Sequence, residues 1–136
     1  MWKIFLLLRK KSGYGSEVSL TPFVLLKGGI RMTDLEKIVR GYKHDLAKLE
    51  TYEDVERFLD DALDIQVLVD LETKTVNGFD ICVGCGGPNV YVIYSRGYAR
   101  VEGYWLPEKA EVSFDKEKAE LICDYLQDIW EGIIWS

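Results

Sequence analysis

The chain has 136 residues, 48% of them hydrophobic, which is enough for one domain with a single core. No run of about 18 apolar residues occurs, so no transmembrane helix is expected, and the basic cluster after the apolar start reverses the order of a secretory signal. The three cysteines form no even-numbered disulfide framework, which predicts a reduced, cytoplasmic protein.

Charge is distributed unevenly along the chain. Residues 1–31 carry six basic side chains and one acidic one, whereas residues 32–136 carry eleven basic and 22 acidic ones, for a net charge of −6. An acidic body repels phosphates, so direct nucleic-acid binding is not expected. The acidity favours a protein partner with a basic surface, and it also has the simpler explanation that charge keeps a small domain soluble.

Residues 1–31 show neither a strand period nor a helix period and contain two glycine-rich, loop-like segments. Two interpretations stay open. The segment is either translated upstream sequence, with Met32 as the native start after a ribosome-binding sequence encoded at Gly28-Gly29, or an N-terminal arm with an edge strand over 19–26. The sequence thus divides into a leader or arm, 1–31, and a single domain, 32–136.

Apolar residues at helical spacing predict a helical pair over residues 33–63. The first helix opens with a capping-box sequence at 33–36, and the second begins at Thr51. His44, the only histidine, falls toward the polar side of the first helix. This position predicts an exposed side chain and not a catalytic base.

Acidic residues are concentrated around the end of the second helix. Residues 50–72 include nine acids and one base, and Asp60, Asp61 and Asp64 lie where the helix dipole favours cations. We predict that these three aspartates form an acidic contact surface. A metal site is not favoured, because adjacent carboxylates point to different sides of a helix and no calcium-loop pattern is present.

Alternating apolar and polar residues predict an antiparallel meander of four to five strands between residues 65 and 113. The predicted connections are 73–78, with Asn77-Gly78 as a turn signal, then 85–88 and 95–97, and a short edge strand follows Pro107. A last helix over 115–131, ended by Gly132, is expected to pack on the sheet. The predicted fold class is therefore α+β.

Cys82 and Cys85 form a CxxC motif before two glycines. This spacing is typical of a zinc knuckle, but the usual second pair of ligands is absent. Thioredoxin-like redox chemistry requires a helix directly after the motif, and none is predicted there. The alternative is that both cysteines are small side chains packed near a glycine turn. No cofactor is expected, with zinc on Cys82 and Cys85 as the alternative.

Tyrosine and arginine residues share one face of the predicted sheet. They are Tyr91, Tyr98, Arg100 and Tyr104, with Arg96 in the turn before Tyr98. These residue types anchor protein interfaces, which predicts a partner-binding face. The alternative is that a helix covers this face and makes the tyrosines part of the core.

The turn Gly86-Gly87-Pro88-Asn89, the later Gly103-Tyr104-Trp105 and the acidic helix after them are similar to small uncharacterised acidic proteins of bacterial mobile elements and phages. The resemblance covers residues 52–132 and consists of turn and packing residues. It implies a mobile-element setting, in which such proteins often inhibit host defence, as anti-CRISPR and anti-restriction proteins do.

We therefore expect a non-enzymatic, acidic protein-binding domain that inhibits a host nucleic-acid-handling defence complex by mimicking nucleic acid. The expected contacts are the three aspartates and the tyrosine and arginine residues of the sheet. The alternative function is a zinc-stabilised accessory module that uses Cys82 and Cys85. The sequence does not define the oligomeric state.

Overall fold

A computed structural model describes residues 3–8 and 32–135 of the chain, with side chains described for 34–132. In these residues the elements are β1 (Lys3–Leu8), α1 (Met32–Ala47), α2 (Tyr52–Asp60), β2 (Asp64–Asp70), β3 (Thr75–Gly84), β4 (Asn89–Ser95), β5 (Tyr98–Trp105), β6 (Glu108–Ser113) and α3 (Lys116–Trp135). The predicted α+β class is confirmed. None of the described helices has the length and apolar character that crossing a membrane requires.

The strands form one antiparallel sheet in the order β1-β2-β3-β4-β5-β6. Strands β2 to β6 are the predicted meander, because the turns between them are too short for a crossover connection. Strand β1 was not predicted, since a continuous apolar run carries no alternation. It pairs with β2, with Leu8 opposite Ile65. The candidate strand at 19–26 lies outside the described residues, and the boundary at residue 32 stays a prediction.

The turn between β2 and β3 differs from the prediction. Asn77 and Gly78 lie inside β3, so the turn occupies residues 71–74. Asp70 stabilises this turn, because its Oδ1 accepts hydrogen bonds from the amides two and three residues later at 2.9 and 3.3 Å. Gly78 instead permits a close approach of two strands, since a Cβ atom there would lie 2.5 Å from the carbonyl oxygen of Tyr94.

Helices cover one face of the sheet, which we call the inner face. Helix α1 packs on β5 and β6, α3 packs on β3 and β5, and α2 packs on α3. The core between them includes Leu35, Val39, Leu46, Ile81, Val92, Val101, Ile122 and Leu126. Gly103 allows α1 to lie close to β5, because a Cβ atom there would be 2.7 Å from Cγ1 of Val39.

Two helix starts agree with the sequence prediction and one helix end does not. Helix α2 begins with a capping box, in which the amide of Asp54 donates to Thr51 Oγ1 at 3.2 Å and the amide of Thr51 donates to the Asp54 carboxylate at 3.1 Å. Asp115 Oδ1 accepts a hydrogen bond from the amide of Glu117 at 3.0 Å, at the start of α3. Gly132 does not end α3, which continues to Trp135.

Candidate binding groove on the outer sheet face

The face of the sheet opposite the helices, which we call the outer face, is mainly polar. Residues that are paired across antiparallel strands share a face, so they form rows. One row contains Asp64, Cys82, Tyr91, Glu102 and Glu111, and the next contains Gln66, Asp80, Ile93, Arg100 and Ser113. No helix of the described residues packs on this face.

A groove of about 730 Å³ lies on the outer face. Its polar lining includes Asp80, Arg96, Tyr98, Arg100 and Glu111, and its apolar lining includes Leu68 and Ile93. Ligand sites in proteins commonly have volumes of about 300–1,000 Å³ and combine apolar walls with a few placed polar groups. The groove therefore has the size and the lining of a site for a few side chains of a partner.

Tyr98 stands at the rim of the groove. Its side chain is 45% exposed, and the guanidinium carbon of Arg100 lies 4.9 Å from the centre of its ring. The Tyr98 hydroxyl donates a short hydrogen bond to Glu111. This hydrogen bond is the main reason why the pKa of Tyr98 is raised, and it keeps the ring in place as a neutral, amphipathic contact.

Arg100 is held in a hydrogen-bond network, and its charge is compensated by Glu102. Its Nε donates to Glu102 at 2.7 Å, and its Nη1 donates to Ser95 Oγ at 3.4 Å and to the carbonyl oxygen of Tyr98 at 3.3 Å. Burial opposes ionisation of Glu102, but hydrogen bonds from Arg100 and Tyr104 outweigh it and lower the Glu102 pKa. The bond to Glu102 in turn raises the pKa of Tyr104 to about 12. The network therefore fixes the guanidinium orientation.

Asp80 differs from Arg100 and Glu111, whose side chains are hydrogen-bonded within the groove. It is half-buried on β3, and none of the described residues donates a hydrogen bond to its carboxylate. Burial is the main cause of its raised pKa, the charges of Glu102 and Asp64 raise the pKa further, and Arg100 opposes them. A half-buried carboxylate in such surroundings favours the approach of a cation.

The structure places the predicted tyrosine and arginine residues around this one face. Tyr91 and Tyr104 form an edge-to-face pair, with ring centres 6.0 Å apart and an angle of 69° between the rings. Arg96 is exposed in the β4–β5 turn with a φ of 55°, and it lines the groove together with Tyr98 and Arg100. In the described part of the chain no helix covers these residues, so they are not core residues beneath a helix.

The three predicted aspartates lie at the end of α2 and at the start of β2. Asp60 is exposed at the end of α2 and faces Tyr125 of α3, whose pKa is raised by burial and by nearby acids. Asp61, the C-cap of α2, faces Tyr42 of α1, whose pKa is raised in the same way. Only Asp64 lies on the outer face, because it is the first residue of β2.

The cysteines and the histidine form no metal centre within the described residues, where no three Cys, His, Asp or Glu side chains are arranged to hold an ion. Cys82 is half-buried and its Sγ donates to the carbonyl oxygen of Gly84 at 3.3 Å, whereas Cys85 is exposed. Burial raises the pKa of Cys82 and raises that of Cys123 to about 12. His44 is exposed on α1, as predicted.

Asp80 and Gln66 were not predicted from the sequence as residues of a site. Both are polar positions in alternating strands, and such positions are by default solvent-facing. The missing signal is the strand order, which brings Asp80 opposite Ile93 and places Arg100 in the same row one strand further on.

No protein-family model, curated protein or solved structure significantly matches the chain. The resemblance to proteins of mobile elements thus stays a prediction. The geometry and charge of the groove are the observations from which a function can be argued.

Proposed function

We propose that the protein is a non-enzymatic binding domain that holds a basic segment of a protein partner on the outer face of its sheet. The observation that carries this proposal is the groove of about 730 Å³, where Arg96, Tyr98 and Arg100 converge with Asp80 and Glu111. Tyrosine and arginine side chains contribute much of the binding free energy of interfaces, because they bury a large area with few rotatable bonds.

The hydrogen bonds of the groove support binding over acid–base chemistry. The hydroxyls of Tyr98 and Tyr104 both donate hydrogen bonds to carboxylates, and these hydrogen bonds raise the pKa of each tyrosine. These hydroxyls are therefore neutral donors near neutral pH and are poor bases. Arg100 is fixed by Glu102, and the two side chains are only 19% and 12% exposed, so the surface is ordered before a partner arrives.

The charge of the outer face supports a basic partner. The two central rows contain four acidic residues and one basic residue, Arg96 adds a second base at the groove, and residues 32–136 as a whole carry 22 acids against eleven bases. Charge of one sign accelerates association with an oppositely charged surface, and salt weakens this effect. A partner that is basic and salt-sensitive is therefore the best electrostatic fit.

The partner class that we propose is a protein whose basic surface normally contacts nucleic acid. An acidic domain bound there competes with the nucleic acid, without binding nucleic acid itself. In the mobile-element setting that the resemblance implies, the domain is a cytoplasmic inhibitor of a host nucleic-acid-handling defence complex, comparable with anti-CRISPR and anti-restriction proteins.

The test is affinity capture from a nuclease-treated host lysate, followed by purification of the captured protein and measurement of binding between the two purified proteins. We expect the affinity to fall about tenfold or more from low to high salt. At low salt, Tyr98→Ala is expected to lower the affinity about tenfold or more relative to the wild type. Glu117→Gln, an exposed acid on α3, is the matched control and leaves affinity unchanged. A complex that is insensitive to both salt and Tyr98→Ala contradicts the proposal.

A further inference from the structure

We infer that Asp80 is the anchor of the groove and that it holds a guanidinium, the side chain of an arginine in the basic segment of the partner. This inference rests on the proposed function and specifies the chemistry of the same site. It assigns a specificity-determining role to a residue that sequence patterns do not distinguish from a solvent-facing strand position.

The position of Asp80 gives it neighbours on both sides within the groove. It pairs with Gln66 on β2 and with Ile93 on β4, and Arg100 follows Ile93 in the same row on β5. Gln66, Asp80, Ile93 and Arg100 all line the groove. A ligand group that reaches Asp80 therefore lies between an amide side chain and an aliphatic one.

Asp80 keeps hydrogen-bonding capacity that the other charged groups of the network have used. Glu111 accepts a hydrogen bond from the hydroxyl of Tyr98, and Glu102 accepts hydrogen bonds from Arg100 and Tyr104. The Asp80 carboxylate accepts no hydrogen bond from the described residues, although it is half-buried. A half-buried carboxylate without protein donors is only partly solvated, and a ligand that donates hydrogen bonds to it compensates for the lost solvation.

The charges that face Asp80 favour a cation. Asp64 from β2 and Glu102 from β5 are the acids whose charge acts on it, and Arg100 is the base. Because Arg100 donates to Glu102 at 2.7 Å, much of its charge is already compensated. The local balance is negative, so an anionic ligand group is repelled from this part of the groove and a cationic one is attracted.

A guanidinium fits this place better than an ammonium. It is planar, donates two parallel hydrogen bonds to a carboxylate and is more weakly hydrated, so it enters a half-buried site at a smaller loss of solvation. The Gln66 amide offers a further acceptor, and Ile93 and Leu68 offer apolar contact for the flat face or the stem of the arginine. An ammonium is a strongly hydrated point charge and uses only part of this arrangement.

The inference is tested by NMR titration of the full-length protein with N-acetyl-arginine amide, N-acetyl-lysine amide and the neutral isostere N-acetyl-citrulline amide. We expect the arginine probe to shift the amides of β3 and β4 around Asp80 and to bind about tenfold more tightly than citrulline. In Asp80→Asn this difference disappears, while Glu117→Gln retains it. Asn has nearly the same shape, and an unchanged amide spectrum away from the groove shows that the variant is folded.

Each contrary result overturns a defined part of the inference. Equal binding of arginine and citrulline, or an unchanged affinity in Asp80→Asn, removes Asp80 as the anchor. Equal binding of the lysine probe removes the choice of a guanidinium. Shifts that cluster on the helices instead of β3 and β4 remove the groove as the site of the cation.

Binding of the purified partner to Asp80→Asn and Tyr98→Ala separates the role of Asp80 from the role of the groove. If the purified partner binds Asp80→Asn as tightly as the wild type but loses affinity for Tyr98→Ala, the groove is the interface and Asp80 is not its anchor. If the arginine probe requires Asp80 but the partner is indifferent to Tyr98→Ala, Asp80 is a cation site and the proposed interface is wrong.

Discussion

The inner and outer faces of the sheet consist of alternate residues of the same strands, yet different forces hold their side chains. The inner face is aliphatic and dehydrated, with Ile81, Val92 and Val101 all 0% exposed. The outer face is a hydrogen-bonded network in which Arg100, Glu102 and Tyr104 are joined by two bonds of 2.7 Å. The inner face therefore stabilises the fold mainly by the hydrophobic effect, and the outer face contributes mainly directed polar contacts.

This difference separates stability from recognition. Removing a buried aliphatic side chain costs about 2–5 kcal/mol, whereas a partly exposed ion pair contributes about 0–1 kcal/mol. Substitutions on the outer face are thus expected to change binding with little change in folding. Substitutions on the inner face are expected to change folding and to leave the affinity of the folded molecules intact.

The largest effect is expected on the inner face. Leu35 is 0% exposed where α1 approaches Gly103. Leu35→Ala is expected to lower the free energy of unfolding by about 3 kcal/mol, because it leaves a cavity in the core. Urea unfolding measures this loss, and His44→Ala, at an exposed site on the same helix, should change it by less than about 0.5 kcal/mol. Equal losses in the two variants would show that α1 is not packed as described.

The next effect is expected at the rim of the groove. Tyr98→Ala should weaken binding to the purified partner by about tenfold or more, because it removes a large, pre-positioned aromatic contact. Its free energy of unfolding should fall by less than about 1 kcal/mol, since the side chain is 45% exposed. Calorimetric titration and urea unfolding of the same samples separate the two quantities. A loss of stability without a loss of affinity would show that Tyr98 stabilises the fold and does not contribute to partner binding.

A smaller effect should distinguish the aspartates. Asp64 lies on the outer face and Asp60 faces α3. We expect Asp64→Asn to weaken binding about threefold to tenfold, and Asp60→Asn to change it by less than twofold at the same salt concentration. The association rate is the appropriate measurement, because charge acts mainly on encounter. Equal effects of both substitutions would instead indicate that the whole acidic surface acts without a defined site.

The smallest effect is expected in the pH dependence of the free energy of unfolding of the protein without its partner. The pKa of Asp80 is raised in the folded state, mainly by burial, so its stabilising contribution is complete below its unfolded pKa and is lost as pH rises through the folded pKa. At neutral pH the wild type therefore carries a penalty that Asp80→Asn lacks. Because Asp80 is half-exposed, solvent screening limits the gain in Asp80→Asn to a few tenths of a kcal/mol.

Urea unfolding of wild type and Asp80→Asn at neutral pH and at pH 4 measures this gain. The two proteins should converge in stability as pH falls, because protonation of Asp80 makes the side chains alike in charge. If Asp80→Asn is less stable than the wild type at neutral pH, the carboxylate has a stabilising partner, and the argument that it awaits a cation from a ligand is wrong.

The sequence predicted the faces of the central strands well, because the period of two is a local property. The assignment of Tyr91, Tyr98, Arg100 and Tyr104 to one face agrees with the observed burial, in which these positions alternate with buried ones. The start of α2 at Thr51 was also correct, since the helical spacing of apolar residues is a local signal. These predictions depended on neighbours in the chain.

The predictions that failed depended on distant parts of the chain. Asn77-Gly78 is typical of a hairpin turn, but here the glycine is needed because the backbone of Tyr94 approaches it. Gly132 is a common helix stop, and α3 continues through it. The neighbourhood of Asp80 and Arg100 depends on strand order and register across 20 residues of sequence, which no local pattern contains.

The most direct test of the central claim is a cross-saturation NMR experiment on the complex between the isotope-labelled protein and its purified partner. If the groove is the interface, saturation transfers to the amides of β4, β5 and the turn at Arg96 that joins them. Transfer confined to α2 and α3, whose solvent-facing sides are also acidic, would exclude the groove and would identify the helical surface as the interface.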